Sequence, residues 1–248
     1  MKLRTATQKL ASVAASAAFA AVAYASDGAW ALRPGLHLYP YAAGDPAKLT
    51  PHVLIYLPRG YEQQKSPLMI LLHGANGGGD DAQKLQGNAV LKYVGAHPDF
   101  PFVTASPQAA AAAYGVFDAD AVNALVDELV KRLPVDPARV YVTGVSLGGM
   151  ATWKIAAESR QRFAAIVPVS SARPDPAIAC ALKDTPVWAF HNERDEFQAL
   201  QPVKEMVDAV RDCKGTAKLT VYPKSGHNAW SDAYSDPSLY AWLASQRR

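Results

Sequence analysis

From His52 onward, the hydrophobic positions of the chain follow two rhythms. Short apolar runs suit strands, and apolar residues three and four apart suit helices. His52–Leu57 (HVLIYL) predicts a strand, closed by a turn at Pro58-Arg59-Gly60. Leu68–Leu72 (LMILL) is apolar throughout, as expected of a strand covered on both faces. A helix is expected over Gln83–Val94 and a short strand over Phe100–Ala105. Asp118–Leu133 carries Val122, Leu125, Val126, Leu129, Val130 and Leu133 at helical spacing. Arg139–Thr143 (RVYVT) predicts a strand that runs directly into a helix over Leu147–Glu158. Strands over Ala164–Val169, Pro186–Phe190 and Lys218–Tyr222 follow, with helices over Val203–Cys213 and Pro237–Ala244. Residues 26–50, rich in Ala, Gly and Pro, predict an irregular or edge segment. Strands and helices alternate, so the expected fold class is α/β: a mostly parallel sheet with helices on both faces. No internal repeat or long linker divides it.

The first 25 residues fall outside this pattern. Lys2, Arg4 and Lys9 form a basic start, and Leu10–Ala25 is uncharged. Ala23-Tyr24-Ala25 offers the small residues of an A-x-A cleavage site. The expected organisation is a signal peptide over 1–25 and one domain over 26–248, in an exported protein of the periplasm or exterior. The competing readings are an amphipathic helix, which lacks a polar face, and a retained anchor, which is short against the roughly 20 residues of a spanning helix. After cleavage no stable membrane insertion is expected. The full chain has 25 Lys and Arg against 22 Asp and Glu. The three basic residues of the leader account for the excess, so the mature chain is formally neutral. No basic patch points to nucleic acid. Cys180 and Cys213 leave open one disulfide or two separate thiols. Neither has a metal-ligand partner at the usual spacing.

The candidate chemistry lies at Gly144-Val145-Ser146-Leu147-Gly148, between a strand and a helix. A serine hydroxyl needs a base and an exposed position to act as a nucleophile. A sharp strand-to-helix turn exposes it, and the small residues two before and two after permit the turn. His227, after the strand LTVY, is the expected base. His37, His52 and His97 have no such context, His73 is expected to shape its loop, and His191 to hydrogen-bond its own. An acid must orient the base. Asp195 in His191-Asn192-Glu193-Arg194-Asp195 is the candidate, with Glu193 and Glu196 as alternatives and Asp175 and Asp184 as weaker ones. The backbone N–H groups of Leu147 and of Ala75, in His73-Gly74-Ala75-Asn76-Gly77-Gly78-Gly79, are the expected oxyanion donors. That glycine cluster lacks the ending of a phosphate-binding loop. Trp230, Phe197 and Tyr114 are candidates for lining the substrate site, or else packing aromatics.

The stretches LLHGANGGGDD, PARVYVTGVSLGGMATW, RFAAIVPVSSA, DTPVWAFHNERD and YPKSGHNAW resemble bacterial serine esterases related to polyhydroxybutyrate depolymerases, feruloyl esterases and acetylxylan esterases, some of them described as predicted peptidases. The resemblance covers roughly residues 50–245. It implies the α/β-hydrolase fold, Ser146 as nucleophile, His227 as base, Asp195 as acid, and Ala75 and Leu147 as oxyanion donors. The intervals from Ser146 to Asp195 and from Asp195 to His227 are short, so no large lid is expected. A small or polymeric ester is the expected substrate, and the acyl-enzyme chemistry requires no cofactor. Asn192 stands where the family usually has glycine; asparagine tolerates left-handed angles, so the turn is expected to survive. Glu196-Phe197-Gln198-Ala199 replaces a more common Val-Val-Pro-like run. The rival functions are a serine peptidase, a non-catalytic binding protein, and a dienelactone-type hydrolase. The last usually carries cysteine as nucleophile, so Ser146 argues against it.

Overall fold

The computed structural model describes residues 32–41 and 44–248. The expected signal peptide lies outside the described residues. Among them, eight strands form one sheet. They are β1 (Gly35–Pro40), β2 (Leu49–Leu57), β3 (Ser66–Leu72), β4 (Val103–Ala109), β5 (Val135–Val145), β6 (Ala165–Val169), β7 (Val187–Arg194) and β8 (Ala217–Ser225). The spatial order is β1-β2-β4-β3-β5-β6-β7-β8. β2 runs antiparallel to β1 and β4, and every other pairing is parallel. The expected α/β architecture is the observed one. The edge segment before residue 50 holds β1, whose pairing with β2 no apolar run announces.

The helices are α1 (Ala89–Ala96), α2 (Ala119–Arg132), α3 (Leu147–Glu158), α4 (Leu200–Asp212), a short α5 (Trp230–Ala233) and α6 (Pro237–Ser245). The sheet separates two cores. Leu68, Ile70 and Leu72 of β3 point to one, with Val122, Leu125 and Leu129 of α2, Trp153 of α3 and Met206 of α4. Met69 and Leu71 point to the other, with Val90 and Val94 of α1 and Leu239 and Leu243 of α6. Alternate residues of a strand face opposite sides, so LMILL has to be apolar at every position.

The helix expected over Gln83–Val94 is divided. Ala82–Gly87 forms 3-10 turns, and α1 restarts at Ala89. Asn88 makes the break, because its Oδ1 accepts from Leu91 N at 2.8 Å and caps the new helix. Asp118 caps α2 in the same way, through Ala121 N. β7 extends to Arg194, past the expected end at Phe190, and takes His191 and Asn192 into the buried sheet. Cys180 and Cys213 form a disulfide, with Cα atoms 5.1 Å apart. It ties the 3-10 segment Pro176–Leu182 to the end of α4. No described helix is long and apolar enough to cross a membrane.

Candidate active site

The parallel strands β3, β5, β7 and β8 all end on the same edge of the sheet. The loops after them therefore gather residues far apart in the chain, as open α/β sheets do at their carboxyl ends. A cavity of about 670 Å³ opens there, and its walls include Ala75, Ser146, Leu147, Phe197, His227 and Trp230.

Ser146 sits at φ 56° and ψ −115°, between β5 and α3. A non-glycine residue rarely holds such angles, and the surrounding structure must enforce them. Here the backbone does so. Ser146 N donates to Val169 O at 3.0 Å, and Ser146 O accepts from Met150 N at 3.0 Å and Ala172 N at 3.2 Å. The flanking glycines are required by close approach. A Cβ on Gly144 would stand 2.4 Å from Gly148 O, and one on Gly148 would stand 2.4 Å from Leu72 O. The loop after β3 lies against the serine, since a Cβ on Gly74 would fall 3.4 Å from Ser146 Cβ.

Ala75 begins a single 3-10 turn and Leu147 begins α3. First-turn N–H groups have no partner within their own helix, so both are free to serve a ligand. His73 shapes this loop. Its Nε2 accepts from Ala109 N at 3.0 Å, which places the ring proton on Nδ1, and Nδ1 donates to Gly74 O at 2.7 Å. The ring also packs on Phe117.

The loop after β8 brings His227 to the cavity. Its Nδ1 lies 2.7 Å from Asp195 Oδ2, and Phe197 and Trp230 flank the ring at 5.6 Å and 5.4 Å between centroids. Asp195 has no exposed side-chain surface. Its Oδ1 accepts from Phe197 N at 2.9 Å and Gln198 N at 3.0 Å. The alternative carboxylates are engaged elsewhere. Glu193 pairs with Arg194, Glu196 accepts from Gly226 N, Asp175 caps its own 3-10 turn and Asp184 pairs with Lys183. His191 is buried, with Nε2 2.9 Å from Gln198 O and 3.6 Å from Asp195 Oδ2.

Two residues of the site escaped the sequence. Ser170 at φ 43° donates to His227 O at 2.7 Å and receives Ala229 N at 3.3 Å. Asn192 was expected to keep a left-handed turn, but it lies in β7, where no such turn occurs. Its Nδ2 donates to Gly226 O at 2.8 Å and braces the histidine loop instead. The residue type at Asn192 was visible; its partner, 34 positions away, was not. Tyr114 is 89% exposed and is not among the cavity's walls. It stands at φ 51° beside Gly115, which packs on the Ala75–Gly78 loop. The sequence offered Tyr114, with Trp230 and Phe197, as a lining or a packing aromatic, whereas the turn that ends its 3-10 segment points it to solvent.

Burial lowers the pKa of His73, opposed by its bond to Gly74 O. Burial likewise lowers that of His191, opposed by Gln198 O and the Asp195 charge and aided by His227. Both rings resist protonation in the folded chain. In the unfolded chain they take up protons as pH falls through about 6.5. The unfolded state then binds more protons, so stability is full above that pH and is lost below it. The melting temperature is expected to fall from pH 7 to pH 5, and a constant value across that range would contradict the burial of these rings as neutral groups.

The model of the dienelactone hydrolase family matches residues 62–239. Ser146 argues against a dienelactone-type activity, which a match to the family's pattern does not test. The chain is 26% identical over 185 residues to a bifunctional acetylxylan esterase/xylanase, XynS20E, of Neocallimastix patriciarum, covering 71% of this chain and 26% of that protein. It is 31% identical over 148 residues to NocK of Nocardia uniformis subsp. tsuyamanensis, provisionally named an esterase, covering 53% of this chain and 41% of that protein. The chain thus spans well under half the length of these relatives. Among solved structures, a thermostable esterase superposes with a TM-score of 0.71 at 23% identity, over 86% of this chain and 63% of that one. This likeness is one of fold.

Proposed function

The chain belongs to the dienelactone hydrolase family, and from that premise we propose that it is an exported serine hydrolase of carboxylic esters. The observation that carries the reading is the 2.7 Å bond from His227 Nδ1 to the buried Asp195, on the cavity that also exposes Ser146. In this reading Ser146 Oγ attacks the ester carbonyl as His227 Nε2 takes its proton. The N–H groups of Ala75 and Leu147 hold the oxyanion. When the tetrahedral intermediate collapses, the C–O bond to the alcohol breaks and His227 returns the proton to the leaving oxygen. Water then attacks the acyl-enzyme as His227 takes its proton; on collapse the bond from the acyl carbon to Oγ breaks, His227 returns the proton to Oγ, and the acid leaves. The charge that develops on His227 is stabilised by Asp195. No step calls for a metal or organic cofactor.

The substrate classes proposed are feruloyl, acetylxylan or polyester-type esters. XynS20E is an acetylxylan esterase by name, and the short segments between the site loops leave the cavity open to bulky esters. Residues 1–25 are proposed to be removed on export. The test is a hydrolysis panel with the purified chain, its intact mass reporting whether cleavage has followed Ala25. Nitrophenyl esters of short and long acids, methyl ferulate, acetylated xylan, polyhydroxybutyrate and peptide anilides belong in it. Ester cleavage well ahead of amide cleavage is expected. Faster amide cleavage would assign a peptidase, and no turnover together with no fluorophosphonate labelling would assign a binding protein.

A further inference from the structure

Behind the glycine-rich loop at one wall of the cavity stands Gln108, near the end of β4. It is fully buried and is not among the residues that line the cavity, so it does not meet substrate. Its Nε2 donates to Gly77 O at 2.9 Å. Its Oε1 is buried without a hydrogen-bond partner. A buried amide with one orphaned end lowers stability, and an apolar side chain of similar size would avoid that loss. The one hydrogen bond of this side chain leads to the loop.

That bond is the first link of a short chain. Gly77 N donates to Gly74 O at 3.0 Å, and the same oxygen receives His73 Nδ1–H at 2.7 Å. In a trans peptide the C=O and the following N–H point in opposite directions. Holding Gly74 O in place therefore aims the N–H of Ala75 away from it. The neighbouring Ala109 grips the loop twice more, with its N–H on His73 Nε2 at 3.0 Å and its O on Gly79 N at 3.1 Å. Of these three contacts from β4, the one from Gln108 is made by a side chain, so substitution can remove it while the strand stays intact.

We propose that Gln108 is a positioning residue for the oxyanion site: its amide, through Gly77 and Gly74, sets the direction of the Ala75 N–H. The inference rests on the ester-hydrolase reading of Ser146. Gln108→Met keeps the length of the side chain and removes the donor. For nitrophenyl acetate kcat is expected to drop about tenfold or more with KM changed less than about twofold, and the affinity for phenylboronic acid, which forms a tetrahedral adduct, should fall with kcat. Gln108→Glu supplies a readout that lost packing alone would not move. A buried carboxyl holds its proton to higher pH. Protonated, it can donate to Gly77 O; ionised, it offers that oxygen only repulsion. The ratio of variant to wild-type kcat should be nearest to one at pH 6 and fall about tenfold or more by pH 9. A ratio flat with pH, or a Gln108→Met enzyme with unchanged kcat and boronate affinity, would overturn the proposal. If Gln108→Met fails to fold, the pH ratio of Gln108→Glu decides. Wild-type protein that a fluorophosphonate does not label at Ser146 defeats the ester reading and this inference together. Labelling with unaffected Gln108 variants defeats the inference alone.

Discussion

Ser146→Ala is expected to lower kcat for a nitrophenyl ester by about five orders of magnitude or more. In the proposed mechanism Oγ is the atom that forms the acyl bond, so its removal abolishes that route. Some acceleration over water should survive, because the Ala75 and Leu147 N–H groups and the cavity are untouched. The substitution should cost little stability. Alanine keeps the Cβ, and the φ of 56° is held by backbone bonds to Val169, Met150 and Ala172 that no side chain supplies. KM and melting temperature should therefore stay near wild type, and fluorophosphonate labelling should vanish. Retention of even one per cent of kcat, with contaminating esterase excluded by labelling, would remove Ser146 from the proposed mechanism.

Under the proposed mechanism, Asp195→Asn is expected to cost about three to four orders of magnitude in kcat. One carboxylate oxygen, Oδ1, accepts two backbone N–H groups, from Phe197 and Gln198. The other, Oδ2, faces His227 Nδ1 at 2.7 Å. In the asparagine variant the amide oxygen has to take the Oδ1 place, because the NH₂ cannot accept from those two donors. The NH₂ is then forced toward His227. The ring must present a bare Nδ1 and carry its proton on Nε2, where it can no longer take the proton of Ser146. Asp195 is buried and is not among the cavity's walls, so KM should hold. Glu193→Gln and Glu196→Gln serve as controls, since their carboxylates bond Arg194 and Gly226 N. A larger loss of kcat from either control than from Asp195→Asn would displace Asp195 as the acid.

Much of the fold was legible because the signals behind it are local. Leu68–Leu72 is apolar at every position, and a strand covered on both faces can be nothing else. Asp118–Leu133 carries a helical stripe with a capping residue at its head. Errors arose where a single side chain or a distant strand intervened. Asn88 broke the helix expected over Gln83–Val94 by capping a new one. β7 ran on to Arg194 because β8 lay alongside to pair with it, Asn192 against Tyr222 and Arg194 against Ser225. Tyr114 looked like its companions Phe197 and Trp230 by residue type alone, and residue type carries no direction.

By itself, the sequence of this protein determined the alternation of strands and helices, the glycine-flanked turn at Ser146 and the chain order of serine, acidic loop and histidine. Each of these is written in neighbouring residues, through side-chain period, turn sterics and capping. The tertiary structure alone decided which carboxylate meets His227, that Cys180 joins Cys213, and that Asn192 and Gln108 brace loops far from them in the chain. Hydrogen bonds are short and directional, and these join residues about 30 positions apart. Their partners become neighbours only once β4, β3, β5, β6, β7 and β8 lie side by side.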